Sequence, residues 1–202
     1  LLSANVAEVA IVFLASLFGY LVLPAVQLLW INLLTDGLPA LALGADPTSG
    51  DVMERPPRDR DRGIVDGQML ALVGGAGTVS TAVMLGLLVY TLDGAAAVTP
   101  YAMTVVFTGF VALEFEKLYV IRWVRDTPTV SNPWLAVAVA VSVLLQLAVL
   151  YTPLSRYFGT VPLGLADWAL VGTLLAAAFP GYLAVVAAID RYLPPESATA
   201  AE

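Results

Sequence analysis

The sequence predicts an all-α integral membrane protein built as a bundle of six transmembrane helices. Hydrophobic residues make up 59% of the 202-residue chain and charged residues only 12%, a balance outside the range of soluble globular domains. Six apolar runs are each long enough to cross a bilayer core, which takes about 20 helical residues. The chain has no cysteine and no histidine, so any cation or proton chemistry must rely on carboxylates.

The six predicted spans differ in how they are connected. The first two are joined by a short turn around Pro24, which predicts a tight helical hairpin. A polar segment with three prolines and alternating charges, 45–66, separates the second span from the third and is expected to be a loop. The spans are expected near residues 1–22, 25–44, 67–92, 101–123, 133–152 and 165–189.

The basic residues predict the orientation of the bundle, because loops rich in Lys and Arg stay in the cytoplasm. Eight of the nine basic residues lie on one side of the predicted bundle, and Arg156 lies on the other. This bias places both termini and the 45–66 loop in the cytoplasm. The net charge of -7 argues against a nucleic-acid partner, since phosphate binding needs a basic surface. The basic residues of the cytoplasmic side are Arg55, Arg58, Arg60, Arg62, Lys117, Arg122, Arg125 and Arg191.

Three carboxylates interrupt the apolar runs: Glu8, Asp36 and Glu114. An ionised side chain at mid-bilayer costs at least roughly 2.5 to 3.5 kcal/mol, so such residues face a bundle interior and mark an ion or proton path. Asn5 lies three residues before Glu8, which puts both on one helical face. Because clustered oxygens bind hard cations, we interpret this pair as a candidate cation site.

The second span carries a further cluster of oxygen ligands beside a helix disturbance. Asn32 and Asp36 are four residues apart and share a face, and Thr35 precedes the aspartate. Pro39 removes an amide donor and crowds the carbonyl of Thr35, while Gly37 loosens the helix. Carbonyls freed at mid-membrane can line a cavity and add oxygen ligands.

Each candidate also has a purely structural interpretation. A single Asn or Thr in a membrane helix is more often an interhelical hydrogen-bonding residue than a ligand. For Asp36 that role would be a buried salt bridge, but we expect Lys117 to snorkel to the cytoplasmic interface, which leaves a bound cation as the better partner. Glu114 is expected to face the bundle centre, and Glu116 is expected to be solvated near the interface.

Small residues recur every four positions in the third span, at Gly74, Thr78, Ala82 and Gly86. This spacing predicts a stripe along which another helix packs closely.

Two segments carry a resemblance to a known family, VQLLWINLLTDGLPA at 26–40 and DVMERPPR at 51–58. They resemble the C-terminal membrane region of P-type cation-transporting ATPases, nearest to calcium pumps of the sarcoplasmic and endoplasmic reticulum type. The run 3–9 is similar to the fifth membrane helix of that family, and 147–168 to its ninth and the start of its tenth. The resemblance implies a share of a second ion site at Asn32 and Asp36, and one ion site at Asn5, Glu8, Thr35, Asp36 and Glu114.

The resemblance implies a cation-binding and translocation module of an ATP-driven pump, with calcium as cargo. Because desolvation and mutual repulsion disfavour charged carboxylates that have lost their cation, we expect Glu8 and Glu114 to take up protons when the cation leaves, which would give proton countertransport. ATP and magnesium would act only through partner domains absent from this chain, namely the N-terminal transmembrane, phosphorylation and nucleotide-binding domains. No residue here is therefore assigned a catalytic role. Since the chain begins inside an apolar helix, we expect a piece of a longer multi-pass protein, embedded in the lipid bilayer of a prokaryotic cell membrane.

Two other interpretations stay open at this point. The chain could be a membrane scaffold or ion-binding subunit without catalysis, or part of a pump whose cargo is sodium, potassium or manganese. The Asn5 and Glu8 pair favours calcium over a single-site manganese-type pump. A phosphorylation motif upstream in the same gene would separate the pump from the scaffold.

Overall fold

A computed structural model describes residues 2–46, 66–124 and 131–193, and all the regular secondary structure in these ranges is helical, which confirms the all-α prediction. Residues 47–65 and 125–130, with five of the basic residues used for orientation, lie outside the described residues. The helices are α1 (Leu2–Leu17), α2 (Ala25–Trp30), a π-helical turn (Ile31–Thr35), α3 (Gly37–Gly44), α4 (Gly67–Leu92), α5 (Pro100–Val124), α6 (Pro133–Tyr151), α7 (Ser155–Phe158) and α8 (Leu165–Tyr192).

Four of the described helical segments are long and apolar enough to cross a membrane. One of them combines α2, the π-helical turn and α3 as Ala25–Gly44, and the others are α4, α6 and α8. Helix α1 is apolar but has only 16 residues. Helix α5 has 25 residues, and it carries Glu114, Glu116 and Lys117 within its second half.

Helix α1 ends at Leu17, before the end of the first predicted span near residue 22. Gly19 adopts φ +80, the left-handed conformation that glycine reaches without steric cost. The amide of Gly19 donates to Ser16 O at 2.9 Å and the amide of Tyr20 to Ala15 O at 3.0 Å. These two bonds form a Schellman cap, which satisfies the last carbonyls of the helix and stops it.

The long helices pack around α4 and α5. Helix α4 contacts α1, α5 and α8, and α5 also contacts α8, while α3 packs against α6. Ile11, Met84, Phe107, Phe110 and Tyr182 lie almost fully buried where these helices meet. The arrangement brings the first half of α1, the junction between the π-helical turn and α3, and the second half of α5 together, and these segments carry the acidic candidates.

The close helix approaches occur at glycines other than those of the predicted stripe. A Cβ on Gly77 would lie 2.9 Å from Val6 Cγ1 in α1, and a Cβ on Gly75 would lie 2.7 Å from Val185 Cγ1 in α8. Gly74 and Gly86 have no described atom within 4 Å of such a Cβ, and Thr78 and Ala82 are exposed with them. Within the described ranges the predicted stripe is therefore exposed, and the close approaches of α4 to α1 and α8 use other glycines.

A polar cluster fixes the end of α3 to α5 and α6. Arg122 is buried and donates to Asp46 Oδ2 at 2.5 Å and to Ser131 Oγ at 2.9 Å. Asn132 caps α6 through Leu135 N, and its amide donates to Ala42 O at 2.8 Å and to Asp46 Oδ1 at 2.9 Å. These hydrogen bonds, that from Arg122 foremost, hold the pKa of Asp46 below its ordinary value.

Candidate functional site

Asp36 lies directly after the π-helical turn. Its amide donates to Ile31 O, five residues back, at 2.9 Å. The carbonyl of Thr35 has no amide donor at the usual position because Pro39 lacks an N–H. The Asp36 side chain is only 5% exposed, and its Oδ2 has no hydrogen-bond partner among the described residues. The disturbance expected from Gly37 and Pro39 is therefore a π-helical turn beside a buried carboxylate that lacks a full set of partners.

Glu8 is the second buried carboxylate and comes from α1. It is 5% exposed, and Oε1 has no hydrogen-bond partner within the described part of the chain. Its Oε2 accepts a hydrogen bond of 2.8 Å from Asn32 Nδ2, whose other amide hydrogen goes to Leu28 O at 2.9 Å. Asn32 thus links the π-helical turn to α1, and the carbonyl oxygen of its amide is left out of both bonds.

The remaining neutral ligand candidates have different surroundings. Thr35 is 1% exposed and its hydroxyl donates to Ile31 O at 2.8 Å, which leaves lone pairs of the oxygen available. Asn5 is exposed on α1, one turn before Glu8, and its side chain makes no hydrogen bond to another described residue. Asn32 is also exposed. Asn5 and Asn32 are therefore open to their surroundings, while Thr35 lies inside.

Glu114 forms a buried ion pair with Lys117. The Nζ atom of Lys117 lies 2.6 Å from Glu114 Oε1, and Lys117 is 3% exposed. The expectation that Lys117 snorkels was wrong, because the carboxylates of Glu114, Glu8 and Asp36 attract the ammonium into the bundle. The spacing of three residues between Glu114 and Lys117 was the signal in the sequence that could have revealed the pair.

Glu116 departs from its expected position as well. The residue is half-buried, and Oε2 is inaccessible to solvent without a hydrogen-bond partner among the described residues. The expectation of a solvated side chain was therefore wrong. Glu116 does not line the cavity that Asp36 shares with Glu114.

A cavity of about 260 Å³ joins the ion pair to the second span. Glu8, Asp36 and Glu114 are close enough to repel one another electrostatically, and Lys117 partly offsets that repulsion. Even so, no three acidic side chains of the described ranges converge tightly enough to form a ready-made metal cluster. Asn32 holds one oxygen of Glu8 and Lys117 holds Glu114, while Glu8 Oε1 and Asp36 Oδ2 have no partner in the described part of the chain. The polar residues that line the cavity are Ser3, Thr35, Asp36, Glu114, Lys117 and Arg122.

Comparison with known proteins identifies the family. Residues 20–190 match the family described as cation transporting ATPase, C-terminus. A calcium-transporting ATPase of Bacillus subtilis (strain 168) is 34% identical over 199 residues, which cover 95% of this chain and 22% of the relative. An endoplasmic reticulum-type calcium-transporting ATPase 2 of Arabidopsis thaliana is 32% identical over 236 residues, which cover 85% of this chain and 22% of the relative. The chain thus spans about a fifth of the length of these curated relatives, and it belongs to the family of cation-transporting ATPase C-terminal regions.

Proposed function

We propose that the chain is the cation-binding and translocation module of an ATP-driven calcium pump. The observation that carries the proposal is Asp36, buried beside a π-helical turn with one carboxylate oxygen lacking a partner in the described chain. The two relatives are calcium-transporting ATPases, which supports calcium as the cargo. Because the chain corresponds to only part of such proteins, ATP hydrolysis and its coupling to transport would come from the partner domains outside it.

The ligands that we assign to the ion are the carboxylates of Glu8 and Asp36, with the neutral oxygens of Asn5, Asn32 and Thr35. Glu114 lies in the wall of the same cavity, where Lys117 holds it. Calcium takes six to eight oxygen ligands, more than these side chains provide once each has kept its present hydrogen bonds. The exposed side at Asn5 and Asn32 is where another membrane segment of the pump would complete the coordination.

The membrane arrangement that we propose has six spans, with both termini and the 45–66 loop in the cytoplasm of a prokaryotic cell. It counts α1 and α5 as spans together with the four segments that meet the length and composition criteria. Both helices pack against α4, which supports their inclusion. Trp123, Trp134 and Tyr192 are exposed near the helix ends that this arrangement places at the cytoplasmic interface, where such rings anchor.

We also propose proton countertransport through Glu8 and Asp36. When a cation leaves two buried carboxylates, desolvation and mutual repulsion both favour taking up a proton. Glu114 was expected to take part, but the Lys117 ammonium already compensates its charge. The proton is therefore assigned to Glu8 and Asp36.

The test replaces one charge in the intact pump. Asp36→Asn removes one of the two carboxylates that face the ion, and we expect cation affinity to fall by about 100-fold or more, roughly 3 kcal/mol. Asp190→Asn makes the same chemical change on the exposed side of α8 and is the matched control. Phosphorylation by ATP is measured against calcium, sodium, potassium and manganese concentration. Unaltered calcium affinity in Asp36→Asn would refute the site, and phosphorylation driven by another ion would reassign the cargo.

A further inference from the structure

Lys117 is a positive charge inside the region that we assign to a positive ion. Its side chain is almost fully buried in α5, and the described contact of its ammonium is Glu114 Oε1, at 2.6 Å. Lys117 and Glu114 line the same cavity as Thr35 and Asp36. The ammonium therefore stands where an ion bound to Glu114 would stand.

The ion pair is stable because each buried charge needs the other to compensate it. A buried ammonium has lost its hydration, and the carboxylate beside it supplies the compensating charge. Removing one partner of a buried pair strands the other charge, so Glu114 and Lys117 stay together unless a further charge replaces one of them. A divalent cation that coordinated Glu114 would approach the ammonium closely, and like charges at short range inside a protein repel strongly.

A charge balance leads to the same result. The carboxylates of Glu8, Asp36 and Glu114 carry three negative charges, and the ammonium of Lys117 neutralises one of them. The net charge of the group then matches one divalent cation. A second such ion beside Lys117 would leave two uncompensated positive charges in a region of low dielectric constant, against one if Lys117 were neutral.

We propose that Lys117 is a tethered counter-cation that occupies Glu114 and limits this pump to one divalent cation per cycle, held at Glu8 and Asp36. The inference rests on the proposed function, because it concerns the number of ions at that same site. Lys117 is thus a specificity-determining residue that acts on the ion through Glu114.

The test counts calcium ions in the intact pump. Bound radioactive calcium is measured at saturation and divided by the number of phosphorylation sites, and the calcium dependence of phosphorylation gives the Hill coefficient. We expect one ion and a Hill coefficient near one for the parent pump. Lys117→Met keeps the length of the side chain but removes its charge, and we expect a second ion and a Hill coefficient above one. Lys117→Arg retains the charge and should still bind one ion.

A double variant keeps the proposal testable if Lys117→Met does not fold with its stranded carboxylate. Lys117→Met with Glu114→Gln removes both charges, and we expect one bound ion with an affinity within about threefold of the parent. Loss of binding in this double variant would overturn the inference, since it would show that Glu114 ligates the ion. Two ions in the parent, or one ion in a folded Lys117→Met, would also overturn it.

The failure of this inference can be told apart from failure of the proposed function. Asp36→Asn is measured in the same calcium-binding assay. If it removes binding while the parent binds two ions, the site is correct and the role of Lys117 is wrong. If it binds calcium as the parent does, the site itself is wrong and both proposals fall.

Discussion

Gly77 allows α1 to approach α4 closely, and we expect Gly77→Ala to weaken both the fold and the cation site. A Cβ at this position would lie 2.9 Å from Val6 Cγ1, 3.2 Å from Val6 Cβ and 3.3 Å from Ser3 O. A rotamer change of Val6 moves only the first of these atoms. The other two are fixed to the backbone of α1, so the helix itself must move away by a few tenths of an ångström. Overpacking of this kind costs about 1 to 3 kcal/mol.

The displacement has a functional consequence because of where it occurs. Ser3 and Val6 lie on the same turns of α1 as Asn5 and Glu8. Moving α1 outward lengthens the 2.8 Å hydrogen bond between Glu8 and Asn32 and separates Glu8 from Asp36. We therefore expect Gly77→Ala to lower the temperature of thermal inactivation in detergent and to raise the calcium concentration needed for half-maximal phosphorylation.

Gly74→Ala is the matched control on the same helix. A Cβ there has open space, with no described atom within 4 Å. Replacing a helical glycine by alanine without a clash adds up to about 1 kcal/mol of helix propensity, so this variant should be as stable as the parent or slightly more so. Equal behaviour of the two variants would refute the assignment of Gly77 as the contact that sets the distance between α1 and α4.

The remaining predictions concern protons. The pKa of Asp46 is lowered in the folded state by the hydrogen bond from Arg122, so its contribution to stability is present above about pH 4 and is lost as the pH falls through the lowered pKa. We expect Asp46→Asn to cost about 1 to 3 kcal/mol at pH 7 by leaving buried Arg122 poorly paired, and thermal-inactivation curves should show its difference from the parent shrinking below about pH 4. A difference that stays constant to pH 3 would contradict this. The intact pump in sealed vesicles should move protons against the cation, and Glu8→Gln should lower the ratio of protons to cations. Cation uptake without proton flux in vesicles corrected for leak would exclude countertransport.

The parts of the fold that the sequence predicted are those decided locally. Long apolar runs need helices to satisfy their backbone groups in a membrane, and Pro39 disturbs the helix wherever the rest of the chain lies. The end of α1 was predictable from Gly19, but the apolar residues after it hid the cap, because a connection at the membrane surface can stay apolar. The buried positions of Glu8 and Asp36 followed from the high cost of placing a carboxylate against lipid.

Features decided by the choice between two helix faces were not predictable. Helix α4 carries small residues all around at 74–77, so their spacing could not select the face that packs. The structure uses Gly75 and Gly77 and leaves Gly74 exposed. Lys117 posed the same problem, because a lysine near a helix end can reach either the interface or an acidic residue one turn away. The three nearby carboxylates decide in favour of the interior, and their convergence is a property of the tertiary structure.

The segment that carries Asp36 is anchored on both sides and left adaptable in the middle. Before it, Gln27 donates to Phe158 O at 2.8 Å and Trp30 to Gln146 Oε1 at 3.1 Å, which fixes α2 against α6 and α7. After it, Asn132 holds the end of α3 through Ala42 O.

Between these anchors lie the π-helical turn, the carbonyl of Thr35 that lacks its usual donor at Pro39, and the incompletely paired carboxylate of Asp36. A π-helical turn contains one more residue than the α-helical turn it replaces, so it can tighten or open without moving the helices at either end. The proposed cation ligands can therefore rearrange here while the packed bundle keeps its shape.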